Sequence, residues 1–334
     1  MPLDLLVPDL LPLGDEPSAH DELRMPALER WLTRADRARR SETTPDELLA
    51  SAYSLAAPRP VAAVSLCADE GHHEGNWLRA DPVHLRVGQD AVSLHHSAVL
   101  GVTRDEANAL VAELQALFRG DGLEFRAPVP ERWYVRVPEG ELPTTIALDA
   151  ALGRNIFGLL PQGEGRINWR SAITETQMVF SGHEVNQRRE AQGLPAINSV
   201  WFWGGGAMPA GVSKPYALVY ADDPFARGLG ILSSTRVAPL PRDATTLDAV
   251  PAGQTVLVVL DSLTAASRRG DRAAWKKAAE KLDDDWFVGL ADAVERFEAV
   301  RIILPARNDT LVAHVTAGAR WRWLRKRKPL AAHG

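Results

Sequence analysis

The densest chemistry in this 334-residue chain lies between positions 183 and 206. His183 and Asn186 are one helical turn apart, so on a helix they can act together on one group. Arg188 and Arg189 follow, and Lys214 lies downstream. A guanidinium presents a planar fork of donors that suits a phosphate or carboxylate. Asn198 then precedes a strand-like run, Trp201-Phe202-Trp203, which ends in Gly204-Gly205-Gly206. The two tryptophans are read as lying on opposite faces of that strand. A strand that closes on three glycines can turn sharply or let another group approach, one way to build the floor of a ligand pocket. Each residue also has a structural reading. The arginines can be helix-surface charge, and His183 and Asn186 can lock a loop by hydrogen bonds.

Acids at strand ends are the second chemical feature. Asp9 and Asp261 each follow a predicted strand, where the sites of open α/β sheets gather and where acids can hold divalent cations. Capping or solvation is the competing reading. Asp271, Asp309 and His314 are further candidate ligands. A hydrolytic two-metal centre needs several Asp and His ligands from neighbouring strand ends. The loops after Asp261 and after the strand at 300–304 carry no adjacent histidine, and His314 stands isolated. His72 and His73, within Asp69–Glu74, form a polar cluster that reads either as a metal site or as a solvated loop. His95 and His96 are weaker candidates, because strand alternation separates them. The chain has no Walker loop, no GxGxxG after a strand, no GxSxG and no HExxH.

The elements that must position these residues alternate. Residues 3–7 predict a strand, Pro26 opens a helix with Leu28, Trp31, Leu32 and Ala35 on one face, and Pro45 to about Leu55 predicts another. Val61–Cys67 is a buried strand candidate. Residues 77–85 and 91–94 predict paired strands around a turn. Thr103-Arg-Asp-Glu106 is a capping box that introduces an amphipathic helix through Phe118, stopped by Gly120-Asp-Gly122. Strands follow at 123–126 and 133–137. Helical patterns at 146–157 and 170–179 precede the Trp-rich strand at 199–203. A strand at 217–220, a helix at 224–232, a buried strand at 255–260, one long helix over about 271–297 and a strand at 300–304 complete the chain. Short apolar runs between helices predict an α/β fold: a mostly parallel sheet with helices on both faces. The ββαββ block at 75–138 reads as a small inserted α+β domain, within a discontinuous core of 1–74 and 139–320 and before a basic tail at 321–334.

An apolar fraction of 46%, a charged fraction of 24% and a net charge of −5 describe an ordinary globular chain with no overall field to recruit nucleic acid. The single cysteine, Cys67, excludes an internal disulfide and any Cys-rich metal knuckle, which fits a reducing cytosol. The N-terminus has no basic n-region or cleavage site, and no apolar run approaches the ~20 residues of a membrane span, so a cytoplasmic location is expected. The Trp321–Lys328 tail is basic and aromatic. Those features suit acidic lipid or nucleic acid, or belong to a solvated chain end.

The run His183…Asn186…Arg188…Gly193…Asn198…Trp201-Phe-Trp-Gly-Gly-Gly resembles the central motif of archaeal-type cofactor-independent phosphoglycerate mutases, of the alkaline phosphatase superfamily. Trp77-Leu-Arg79 through Thr103-Arg-Asp-Glu-Ala to Arg132-Trp-Tyr is similar to their inserted domain. Leu3–Asp9 with the helix after Pro26 is similar to their first strand and helix, and Val256–Asp271 to their late strand and acidic loop. More closely, Asn-Ser-x-Trp-Phe-Trp-Gly-Gly-Gly resembles the bacterial RpfE-type regulatory group. The resemblance implies an alkaline-phosphatase-like sheet and an anionic-ligand pocket made by His183, Asn186, Arg188, Asn198, Trp203, Gly204, Gly205 and Gly206, with Arg79 from the inserted block. The ligand would be a phosphorylated or carboxylate small molecule.

The departures from that family concern chemistry. Leu-Leu-Pro-Leu follows Asp9 where the family has acids flanking glycine. Ser41-Glu-Thr-Thr-Pro offers no clear match to its nucleophilic serine. The last Asp-His pair has become Arg307-Asn308-Asp309. Together these imply a catalytically degenerate protein with a sensing or regulatory role and no cofactor. Two alternatives stand beside it. One is an active mutase or phosphatase using Mn or Zn on Asp9, Asp261, Asp271, Asp309 and His314, with a nucleophile near 41–44. The other is a scaffold that binds a protein partner or a membrane through the basic tail.

Overall fold

Leucine- and valine-rich runs of four to seven residues form the buried parallel strands that their composition predicts. The computed structural model describes residues 1–11, 23–87, 92–95, 100–322 and 327–330. One unit comprises Met1–Leu55 with Gly211–Gly334, and the other Ala56–Ala210. The first unit opens with β1 (Pro2–Leu6), α1 (Pro26–Arg34), β2 (Asp36–Arg40) and α2 (Pro45–Ala52). The second contains α3 (Val61–Glu70), β3 (Asn76–Val87), β4 (Val92–His95), α4 (Arg104–Leu117), β5 (Glu124–Val129) and β6 (Arg132–Val137). It continues with α5 (Leu148–Ala151), α6 (Trp169–Ser181), α7 (Glu184–Ala191) and β7 (Ser199–Ala207). The chain returns to the first unit with β8 (Leu218–Tyr220), α8 (Pro224–Leu232), β9 (Arg236–Ala238), β10 (Val256–Val259) and α9 (Thr264–Arg269). It ends with α10 (Arg272–Leu282), α11 (Leu290–Arg296), β11 (Ala299–Pro305) and β12 (Thr310–Val315).

The first unit is built on a seven-stranded sheet in the order β2-β12-β11-β1-β10-β8-β9. From β11 to β9 the strands are parallel, and β12 and β2 add antiparallel at one edge. Leu3, Leu5, Val256, Val258, Val300 and Ile302 share a core with Leu28 and Leu32 of α1 and with Ala279 and Leu290 of the C-terminal helices. Asp4 faces the other way. It is 1% exposed, and both its oxygens are held by Arg301 of the neighbouring β11, with the Tyr216 hydroxyl donating to one at 2.7 Å. A buried carboxylate needs such partners.

The helix predicted over 271–297 is interrupted. α10 stops at Leu282, a π-helical turn spans Asp283–Phe287, and α11 begins at Leu290. Asp283 explains the break: its buried carboxylate accepts from the Ala27 and Leu28 N–H groups at 2.9 and 2.7 Å, capping α1. Apolar spacing alone does not register a helical run interrupted where one of its acids caps another helix.

The second unit is an antiparallel sheet whose long strand β3 pairs with β4, β6 and β7, while β5 joins β6. The block at 75–138 lies within it, together with residues 56–74 and 139–210. One face packs against α4 and α6 through Leu78, Trp133, Val135, Phe202, Leu110, Leu114 and Phe180. Thr103 and Glu106 form the expected capping box on α4, and Gly122 takes the left-handed conformation just past the helical turn that follows it.

Three expectations fail here. The helix expected over 146–157 is only the short α5 and a separate 3-10 turn at Ile156–Gly158. Val61–Cys67 is the helix α3 and not a strand; all seven residues are buried, so no polar face reveals a period. Trp201 and Trp203 share one face, as residues two apart in a strand must, and Phe202 lies on the other. The edge strand β2, Asp-Arg-Ala-Arg-Arg, was not predicted because its five residues are all exposed and lack an apolar alternation.

Candidate functional site

A concentrated polar arrangement in the second unit lies on the face of the sheet that Trp203 occupies. Strand alternation puts Arg79 and Asp81 of β3 on one side, and Arg132 and Tyr134 of β6 likewise. Register places Arg79 opposite both Tyr134 and Trp203. The Arg79 guanidinium lies 5.3 Å from the centre of the Tyr134 ring and 5.1 Å from that of Trp203. It donates twice to Asp81 Oδ1, at 3.1 and 2.7 Å, while the Trp203 indole N–H donates to Asp81 Oδ2 at 2.7 Å. Beside this pair, Asp69 of α3 accepts from Arg132 Nε and Nη2 at 2.9 and 2.7 Å and from the Tyr134 hydroxyl at 2.6 Å. Burial holds the Tyr134 phenol well above its ordinary pKa, so it stays a donor.

Two arginines and two aspartates cancel in charge. Arg79 is 7% and Asp81 1% exposed, so this pair is sealed. The Arg132 side chain keeps 29% of its surface. Of these six residues the sequence singles out Arg79 and Trp203 as ligand-binding candidates. Asp69, Asp81, Arg132 and Tyr134 were missed in that role. The spacings Arg79-x-Asp81 and Arg132-x-Tyr134 on predicted strands were the available signal, since they place each pair on one face.

The remaining candidates of the 183–206 run are held by the chain itself. His183 caps α7, its Nδ1 accepting from the Val185 N–H at 3.1 Å. Asn186 is 5% exposed; its amide donates to the Phe180 and Ile197 carbonyls and accepts from the Ile197 N–H. Asn198 pairs through its side chain with both backbone groups of Leu85. Arg188 is exposed, whereas Arg189 is 1% exposed and joins Glu106 to the Leu100 and Pro195 carbonyls. Lys214 donates to the Ser234 carbonyl. The glycines are in close packing. A Cβ on Gly206 would lie 2.6 Å from Pro60 Cβ and 2.9 Å from its Cα, and Gly204 has a φ of +66° beside Val61.

In the first unit, Asp9, Asp261 and the pair Asp222-Asp223 follow β1, β10 and β8, three neighbouring parallel strands, at their carboxyl ends. Asp261 has its pKa raised to about 6, by burial first and then by Asp223 and Asp222. Asp9 adopts a left-handed φ of 58°. The other candidate ligands do different work. Asp271 caps α10 through the Ala274 N–H, Asp309 pairs with Arg39 at 2.7 Å, and His314 stands across from Arg301 and Asp36 in the sheet register. Among the described residues no group of three or more His, Cys, Asp and Glu side chains is placed to hold a metal ion. Among the described residues the acids at this edge are not joined by the histidines that a two-metal centre uses, and that donor set does not fit one. At 41–44, Thr44 caps α2 and Thr43 meets Glu47.

His73 lies 3.4 Å from Glu70 and against the Trp77 ring, and His72 is exposed. His96 is outside the described residues, while His95 pairs with His84 in the β3–β4 register. In the tail, Arg322 pairs with Asp36, Arg327 with Glu29, and Leu330 is buried in the core of the first unit. Positions 323–326 and 331–334 lie outside the described residues. No helix among the described residues is long and apolar enough to cross a membrane.

The large, mostly parallel sheet with its helices is of the alkaline-phosphatase type, a fold that solved structures share. The cofactor-independent phosphoglycerate mutase from Thermoplasma acidophilum matches with a TM-score of 0.50 at 15% identity, over 100% of this chain and 94% of that one. A protein from Pyrococcus horikoshii matches with a TM-score of 0.56 at 12% identity, over 96% and 88%. Sequence relatives agree. The probable 2,3-bisphosphoglycerate-independent phosphoglycerate mutase of Geobacter sulfurreducens is 22% identical over 269 residues, 75% of this chain and 67% of that protein. The 2,3-bisphosphoglycerate-independent phosphoglycerate mutase of Methanothrix thermoacetophila is 26% identical over 175 residues, 46% of this chain and 44% of its own length. No family model matches the sequence. The homologues and structural neighbours of this chain are thus cofactor-independent-phosphoglycerate-mutase-like, and the chain has their fold.

Proposed function

We propose that this phosphoglycerate-mutase-like chain does not carry out the mutase reaction and acts in the cytoplasm as a regulator or sensor of a small phosphorylated or carboxylate molecule, as the resemblance to the RpfE-type group implies. The observation that carries the reading is the occupation of the candidate metal ligands. Asp271 is a helix cap, Asp309 an ion-pair partner of Arg39, and His314 a strand residue opposite Arg301. A mutase of this superfamily uses a metal-activated hydroxyl, and that chemistry needs several ligands at once. Calorimetric titration of the purified chain with Mn²⁺ and Zn²⁺ tests the reading. The expected result is no stoichiometric binding. Tight binding of either ion that is lost in Asp261→Asn would contradict it.

One observation favours the second reading, an active metal-dependent mutase or phosphatase. Asp222 and Asp223 bring two more carboxylates to Asp261 at the carboxyl edge of the sheet. The same titration separates the readings, because the second requires the binding that the first excludes. The scaffold reading gains little support, since Arg322, Arg327 and Leu330 of the tail are engaged with the first unit.

A further inference from the structure

Three donors converge on one carboxylate at the end of α3. Arg132 Nε and Nη2 form a bidentate fork, and the Tyr134 hydroxyl adds a third short bond, all to Asp69. A fork plus a neutral hydroxyl donor is a geometry suited to any small oxyanion, carboxylate or phosphate. The two donors are two residues apart on rigid β6, while the carboxylate comes from a different element. Asp69 and Glu70 occupy the last turn of α3, which holds no basic residue. That is the negative end of the helix dipole, where a carboxylate is unfavourable on its own. Arg132 and Arg126 offset this by pairing with Asp69 and Glu70. Gly71, at a φ of +98°, follows immediately, so the helix ends on a residue with wide backbone freedom.

The neighbouring Arg79–Asp81 pair cannot serve in this way. Both its side chains are sealed, 8% and 2% exposed, whereas Arg132 keeps 29% of its surface beside a buried Asp69 side chain and a buried Tyr134. Displacing Asp69 would therefore leave the half-open Arg132 fork unpaired, with the buried Tyr134 hydroxyl behind it.

We infer that Arg132 and Tyr134 form an oxyanion seat that the chain keeps closed with its own Asp69 carboxylate. An external phosphate or carboxylate competes with Asp69 for the same three donors. Its arrival releases the end of α3, so that ligand binding is read out as a movement of that helix end. The seat concerns binding alone, and it stands or falls separately from the loss of mutase chemistry. Mutase turnover would overturn the latter and leave the seat intact.

The test uses the full chain with inorganic phosphate and, separately, acetate as probes. Asp69→Ser removes the internal carboxylate. Calorimetry should show saturable binding of phosphate at least about tenfold tighter than to the unsubstituted chain, and the double variant Asp69→Ser with Arg132→Gln should lose that gain. Tighter acetate binding with no gain for phosphate would identify the seat as a carboxylate site. A folded Asp69→Ser variant that binds neither probe better than the parent overturns the inference. So does a gain that survives Arg132→Gln. Should Asp69→Ser not fold, the parent chain labelled with ¹⁵N-arginine is titrated with each probe. A saturable shift of the Arg132 Nε resonance is expected, and an unmoved resonance with both probes overturns the seat.

Discussion

A carboxylate buried beside other carboxylates resists ionisation, and Asp261 does so next to Asp223 and Asp222. Its folded pKa, about 6, lies above the ordinary 3.8. Between these values the unfolded chain has already lost the proton that the folded chain keeps, so stability falls as pH rises through this window. Asp261→Asn removes the penalty. The variant should be more stable than the parent at about pH 8, by on the order of 2 kcal/mol, with the gap closing below about pH 4. Urea unfolding at several pH values checks this; a gap that does not change with pH would contradict it. At this scale the sequence indicates residue type and leaves partners open. Asn186 and Asn198 stand out in the sequence as ligand candidates, yet both amides are matched to backbone groups from other loops or strands. A pairing such as Asp69 with Arg132, 63 residues apart, exists only after strands and helices have been brought together.

Elements were more legible where one face differs from the other. The helix opened by the Thr103 capping box and the helix at 224–232 were readable because each has a polar and an apolar side or a clear cap. α3 was not, because its first seven residues are all buried and a continuous apolar run fits a strand as well as a helix. The glycines of β7 explain how α3 sits so near that strand. Gly206→Ala would place a Cβ 2.9 Å from Pro60 Cα, a backbone atom that cannot rotate away. It should cost about 1–3 kcal/mol in unfolding free energy. Gly120→Ala is the control, since nothing lies within 4 Å of its Cβ. That variant should be close to neutral, and equal losses at both positions would contradict the packing role of Gly206.

Over the whole molecule, the alternation of short apolar strands and helices was enough to give the α/β class, and the 183–206 motif pointed to the alkaline-phosphatase-type fold that the solved neighbours share. The missing histidines after Asp261 and after β11 were also readable in the sequence. What they leave behind was not: Asp271 and Asp309 serve as a helix cap and an ion-pair partner. A shared fold does not by itself carry a relative's chemistry, because strands and caps need only some of the residues that a reaction needs. The chain has the mutase-like fold, and we propose that it lacks the mutase reaction. The most direct measurement is the interconversion of 3-phosphoglycerate and 2-phosphoglycerate by the purified chain with added Mn²⁺, beside its Asp9→Asn and Asp261→Asn variants. All three should remain at the background rate. Turnover by the parent chain that disappears in either variant would contradict it.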